Sequence, residues 1–361
     1  MPADDARAER LAATTLALVD IPSESRDEAA IADHVASEVP AGALRLVHRD
    51  AATLLYETER RDRPLVVLAG HLDTVPVQGN RPGHIDEGAV HGLGSSDMKG
   101  GVAVMLEVAR WLAEEEPELA VDLGLLFFPR EELPAEESAL PGLFAAYPAI
   151  RDAGLGVMLE PTDNTIQAGC LGNLNAELVF HGESAHSARP WLGRNAIDAA
   201  VEGLAAILPL PTTEAEIAGL TFVEVASVTL IRGGIATNVI PGRVECLVNF
   251  RYAPDRTRDE AEARLREILG AAGDVEILSN APPARVAADS PLVQRLREAG
   301  SLAIEPKQAW TPVAELDAAG IPAVNFGPGA TRYAHRADEQ VDIAALVQCF
   351  EALRRFLAGS V

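Results

Sequence analysis

The chain has 361 residues, 48% of them apolar, which gives a prior of about two domains with real cores. Its formal charge is -24, and lysine occurs only at Lys99 and Lys307. So acidic a chain repels phosphate backbones and anionic headgroups, which excludes nucleic acid and membrane surfaces as partners.

The first twenty or so residues read as an amphipathic helix with acids in its first turn, without the basic start and apolar core of an export signal. No stretch is long and apolar enough to span a bilayer. Leu65–Ala69 reads as a buried strand that stops at GHLD, and Gly100–Glu115 as a helix with Ser95, Ser96 or Asp97 at its start. Val121–Phe128 and Gly156–Leu159 are further short apolar strands. Short apolar strands alternating with helices predict an α/β fold with a mostly parallel, helix-covered sheet.

The middle has another texture. Leu174–His181 and Thr221–Leu230 alternate polar and apolar, Arg243–Tyr252 is strand-like, and helices are predicted over Asn195–Ile207 and Glu260–Leu269. That order predicts an inserted two-layer α+β unit over 173–284, dividing a first domain made of 1–172 and 285–361. From about Ser290 the helix and buried-strand texture returns and ends in a Val341–Leu357 helix. The three cysteines, Cys170, Cys246 and Cys349, form no CxxC pair and no disulfide framework, which fits a reducing cytoplasm.

Acids and histidines recur where these strands end. His71 and Asp73 follow the first strand, Asp97 opens the helix at GLGSSDMKGG, and Glu131 and Glu132 follow the second strand. Glu160 follows the third, and His335 follows a Gly-Pro-Gly turn after Ala323–Phe326. In open α/β sheets that edge binds ligands. Taken singly, each residue has an ordinary reading as a polar loop side chain or, for Asp97, a helix cap. Five loops delivering two histidines and several carboxylates to one edge would instead suit a pair of Zn²⁺-like ions that share a carboxylate and activate a water. If the Glu131–Glu132 segment is extended, the two side chains point opposite ways, one to ligate and one toward the water.

HLDTVP, GLGSSDMKGG, the Glu-Glu pair, LEP followed by AGC, and the late Ala-His together resemble the M20 family of dinuclear zinc amidohydrolases and peptidases, in order along nearly the whole chain. The resemblance implies two Zn²⁺ per chain, with Co²⁺ or Mn²⁺ as possible substitutes. His71 and Glu160 would hold one ion, Glu132 and His335 the other, and Asp97 would bridge both. Asp73 would grip the other ring nitrogen of His71, and Glu131 would be the general base. GESAHSARPWLGRNAID resembles the family's lid and dimerisation domain. His186 would then steady the tetrahedral oxyanion in a partner subunit of a homodimer, while Asn238 and Arg251 would contact a small-molecule substrate.

Within the family, LEPTDNTIQAGCLGNL, AHSARPWLGRNAI, NVIPGRVECLVNFRYAPDR and AVNFGPG are most like the actinobacterial enzymes that remove succinate from N-succinyl-LL-2,6-diaminopimelate. That likeness implies release of LL-2,6-diaminopimelate for lysine and cell-wall precursor synthesis. The match departs at WTPVAEL, where Pro312 and Glu315 stand in place of an acid and a base. The alternatives are another deacylase or peptidase of the family (acetylornithine deacetylase-like, aminoacylase or metallocarboxypeptidase) or a non-catalytic zinc-dependent homodimer used for binding.

Overall fold

The computed structural model describes residues 3–359, with the side chains of the first two of these left aside. The chain forms two compact units, one of Met1–Ala168, Ala287–Glu305 and Pro312–Val361, the other of Gly169–Val286 and Pro306–Thr311.

The first unit is built on an eight-stranded sheet. Its order is Arg45–Asp50, Thr53–Glu57, Asp122–Phe128, Leu65–His71, Ala153–Met158, Ala323–Asn325, Ile166–Ala168 and Ile304–Pro306. The four central strands run parallel. Leu65–His71 and Asp122–Phe128 are buried along their whole length, as uninterrupted apolar runs in a helix-covered sheet should be. The antiparallel hairpin at the edge, Arg45–Asp50 with Thr53–Glu57, adds two strands that no apolar run announced.

The helix Gly100–Glu115 forms as expected, and its first two turns bury nearly every side chain. Gly101 is required there, because a Cβ would collide with the carbonyl oxygen of Leu159. One charge crosses this core. Glu107, fully buried, is ringed by Arg7, Arg10 and Arg110, and Arg10 meets it through both Nη2 and Nε, the latter at 2.8 Å.

The second unit is an antiparallel sheet in the order Thr212–Ile217, Leu220–Gly233, Arg243–Tyr252, Gly172–His181 and Asp274–Ala281. Leu174, Ala176, Leu178, Val244, Cys246, Val248 and Phe250 alternate onto one face, where Ala196 and Ala200 of one helix and Ala261, Leu265 and Leu269 of the other close the core. Asn195 caps the helix Ala196–Ile207 by accepting from Ile197 N–H, and Thr257 with Glu260 forms a capping box on Arg258–Leu269. The opposite face is polar: Asn249 donates to Asn173 at 2.7 Å and to Asn175 at 2.9 Å.

Pro306–Thr311 goes with this second unit although its neighbours in sequence belong to the first. Gln308 accepts from Val223 N–H and donates to Thr221 O, and Trp310 Nε1 donates to Pro282 O. Nothing in the composition of EPKQAWT marked that excursion.

Pro312 ends it by capping the helix Val313–Ala318, in whose first turn Glu315 sits. Burial raises the Glu315 carboxyl to about 7, against a weaker lowering by Ser138. The native chain therefore keeps this proton at pH values where the unfolded chain has lost it, so stability falls as pH rises from the ordinary carboxyl range to about 7. Allowing for partial solvent contact, the fall is on the order of 1–2 kcal/mol. Glu315→Gln is expected to flatten it. Thermal midpoints across pH 5 to 8 check this, and parallel curves for both proteins would count against it.

Candidate metal centre

Strand Leu65–His71 ends on a fully buried histidine. Its Nδ1 lies 3.0 Å from the backbone carbonyl of Asp73. A carbonyl only accepts, so in the neutral ring Nδ1 carries the hydrogen and Nε2 presents its lone pair. That Nε2 faces Asp97 Oδ1 at 3.2 Å and Glu160 Oε1 at 3.9 Å.

Asp97 lies in a short turn, Ser95–Lys99, that precedes the long helix. Its backbone (φ -124°, ψ 92°) is not helical, and the long helix starts only at Gly100 with Lys99 in its cap position, so Asp97 does not cap that helix and its carboxylate faces two histidines. While Oδ1 addresses His71, Oδ2 lies 3.5 Å from Nε2 of His335. The same His335 nitrogen is 3.0 Å from Glu132. One carboxylate between two imidazoles, each backed by a glutamate, is the arrangement a bridging ligand requires.

Two findings differ from the expectations. Asp73 meets the ring of His71 through its main chain, while its carboxylate stands 3.6 Å from Nδ1. Asp73 Oδ1 instead accepts from Glu131 N–H at 3.0 Å, and Oδ2 accepts from Glu132 N–H at 3.1 Å and from the Ser25 hydroxyl at 2.8 Å. The segment carrying Glu131 and Glu132 is a turn and not extended, entered through Arg130 at φ 66°. Two successive N–H groups pointing at one carboxylate cannot belong to an extended strand, and the turn sends both glutamates inward. Oxygens of Glu131 and Glu160 lie within 4.8 Å of a His71 nitrogen and of each other, as do those of Asp97 and Glu132 in a second set with His71. Ser25 had no motif to mark it.

The electrostatics favour a cation. Desolvation is the main force pushing the Glu131 carboxyl well above its usual range, with Glu160, Glu132 and Asp97 adding repulsion and His71 opposing it. Burial works against charge on His71, yet its bond to Asp97 and the carboxylates of Glu131, Glu160 and Asp73 raise it well above an ordinary imidazole. The contact to Glu132 lifts His335 to about 9. A cluster that draws protons onto both imidazoles is one whose charge a divalent ion would satisfy, displacing those protons. The donor set, two imidazoles and several carboxylates, fits Zn²⁺ and related ions.

The other expected residues lie in the second unit. His186 is exposed on the two-residue strand Ala185–His186, paired with Val239–Ile240, and Ser187 N–H donates to Asn238 O at 2.9 Å. These contacts bring His186 and Asn238 onto one ribbon. His186 Nδ1 accepts from Ala188 N–H at 3.0 Å, so in the neutral ring Nε2 is the donor. Arg251 sits on the polar sheet face, its Nε donating to Asn249 at 3.0 Å.

Sequence comparison supplies the kinship. The chain is 38% identical over 347 residues to a Mycobacterium tuberculosis protein provisionally named succinyl-diaminopimelate desuccinylase DapE, covering 96% of this chain and 97% of that one. It is 35% identical over 353 residues to the succinyl-diaminopimelate desuccinylase of Corynebacterium glutamicum, covering 95% of each. Among solved structures the fold resembles that of aminopeptidase PepT from Bacillus cereus, with a TM-score of 0.79 at 21% identity, covering 97% of this chain and 98% of the other. Residues 67–359 match the model of peptidase family M20/M25/M40, a span that begins within the His71 strand and extends beyond His335. As its motifs led one to expect, the chain belongs to this family of amide-bond hydrolases.

Proposed function

We propose that the chain hydrolyses the amide bond of N-succinyl-LL-2,6-diaminopimelate, releasing succinate and LL-2,6-diaminopimelate, with two divalent metal ions, Zn²⁺ by preference. The observation that carries the metal reading is Asp97, whose two oxygens address two histidines from separate loops. The substrate reading is supported by near full-length relatives that bear the desuccinylase name.

His71, Asp97 and Glu160 would hold one ion, and Asp97, Glu132 and His335 the other. Such a pair, when bound, polarises the scissile carbonyl and makes water acidic enough to attack. Glu131 takes the proton of the attacking water and returns it to the departing amine. Asp73, through two backbone N–H groups, holds the turn on which Glu131 acts and Glu132 ligates. His186 offers an Nε2–H donor suited to a developing oxyanion. Arg251 and Asn238 are assigned to the substrate, the guanidinium being suited to a carboxylate by its planar fork.

Exposed apolar side chains gather in the second unit, Trp191 at 75% and Ile235 at 86% exposure among them. They support a homodimer formed through this unit. Sedimentation of the purified protein at twice the chain mass would agree; a monomer at micromolar concentration would not. Three buried free cysteines are in keeping with a reducing compartment, which we take to be the cytoplasm.

Glu315, in place of the base expected at that position, makes the acyl-amino-acid preference the point to test. Metal-loaded enzyme should be offered N-succinyl-LL-2,6-diaminopimelate, N-acetylornithine and acyl dipeptides side by side. The succinyl compound is expected to have the highest kcat/KM. Turnover of another substrate without turnover of this one would replace the assignment with a different deacylase or peptidase of the family.

A further inference from the structure

Four residues beyond His335 lies a carboxylate that no motif singled out. Glu339 is 2% exposed. Its Oε2 accepts from Gly94 N–H at 2.9 Å, and its Oε1 accepts from Ser96 N–H at 3.0 Å and from Asp97 N–H at 2.9 Å. Three N–H donors of the loop that presents Asp97 thus converge on one side chain. The main chain joins the same two segments, because Gly92 N–H donates to Glu339 O at 2.9 Å and strand Gln340–Asp342 pairs with Ala89–His91. The segment around His335 is held from its other side, where Gln78 donates to the His335 carbonyl at 3.0 Å and Asn80 to that of Arg336 at 3.2 Å. His335 itself stands at φ 62°, a left-handed conformation uncommon for residues other than glycine.

Asp97 and His335 come from segments some 240 residues apart in sequence, yet their facing atoms lie 3.5 Å apart. Glu339 is the side chain that binds one ligand's loop while belonging to the other's. A glutamate buried only to anchor a loop would need no relation to either ligand, whereas here the last of its three bonds is to the backbone of Asp97 itself.

We propose that Glu339 is a positioning residue that fixes the spacing of Asp97 and His335 and thereby the affinity of the metal ion they share. The proposal rests on the metal reading of the centre. Glutamine at this position keeps the size of the side chain but turns one acceptor into an NH₂ donor. Either the Gly94 donor or the Ser96 and Asp97 donors then face another donor.

The test is chelator competition with Zn²⁺ alone on metal-free wild type, Glu339→Gln and Glu339→Ala, with thermal midpoints of the metal-free proteins. Glu339→Gln is expected to weaken Zn²⁺ binding by about 10–100-fold, the usual cost of removing support behind a ligand. Its metal-free midpoint should fall only modestly, and by less than its metal-loaded midpoint falls. In turnover, kcat should fall with KM little changed and should recover as Zn²⁺ is raised, a recovery that a merely structural defect would not show. Glu339→Ala should bind Zn²⁺ more weakly still; if it fails to fold, the glutamine variant decides alone. Wild-type affinity in Glu339→Gln overturns the proposal. So does a metal-free midpoint lowered as far as the metal-loaded one, which would make Glu339 a simple loop anchor. Failure of the wild type to bind Zn²⁺ would instead overturn the metal reading, and the proposal with it.

Discussion

Replacing Glu131 with alanine is expected to lower kcat by about 10²–10⁴-fold, the range a positioned general base supplies, while two metal ions per chain are retained. The prediction discriminates because both glutamates of the turn point inward. Glu131 lies within ligand distance of His71 and Glu160, so geometry alone would also let it coordinate. Glu132 has a partner in His335 at 3.0 Å, whereas Glu131 is where the repulsion of Glu160, Glu132 and Asp97 converges. If Glu131 is the base, its removal stops proton transfer and relieves that repulsion, so metal is kept. Kinetics and metal content on one preparation decide it. Loss of a metal with loss of activity would make Glu131 a ligand, and unchanged turnover would remove it from the reaction.

Asp97→Ala is expected to be as severe by a different route. Asp97 lies 3.2 Å from His71 through one oxygen and 3.5 Å from His335 through the other, so its loss deprives both ion positions at once. Removing a direct ligand should exceed the 10–100-fold cost of removing a ligand's support, and turnover should vanish with the metal. The metal-free midpoints of variant and wild type serve as the baseline, since Asp97 both repels Glu131 and bonds the buried His71. The rise in thermal midpoint that Zn²⁺ gives the wild type should shrink, because that rise follows affinity. Metal titration followed by differential scanning fluorimetry measures both. Two ions bound with wild-type affinity would show that Asp97 does not bridge.

How far the sequence could be read depended on which force shaped each segment. Leu65–His71 and Asp122–Phe128 were legible because strands covered on both faces need unbroken apolar runs. Arg243–Tyr252 was legible because a half-covered strand must alternate. Thr212–Ile217 was not, since TTEAEI lies at the sheet edge with little of its surface covered. The excursion of Pro306–Thr311 rests on side-chain amide and indole bonds from Gln308 and Trp310, which leave no periodic trace.

The same division runs through the centre. His71, Asp97, Glu132, Glu160 and His335 could be picked out together, as chemically matched residues at the ends of strands and in the loops after them. What could not be read was the backbone that aims them. The left-handed turn at Arg130 sends Glu131 and Glu132 the same way, and Asp73 spends its carboxylate on their N–H groups. Nothing in the sequence singled out Glu339, because its three partners are main-chain donors that carry no sequence signature.

The most direct test of the account is a titration of metal-free protein with Zn²⁺ in the presence of N-succinyl-LL-2,6-diaminopimelate, following bound metal and released succinate together. The account predicts saturation at two ions per chain and succinate release that depends on the bound metal. Saturation at a single ion, or two ions bound with no succinate released, would contradict it.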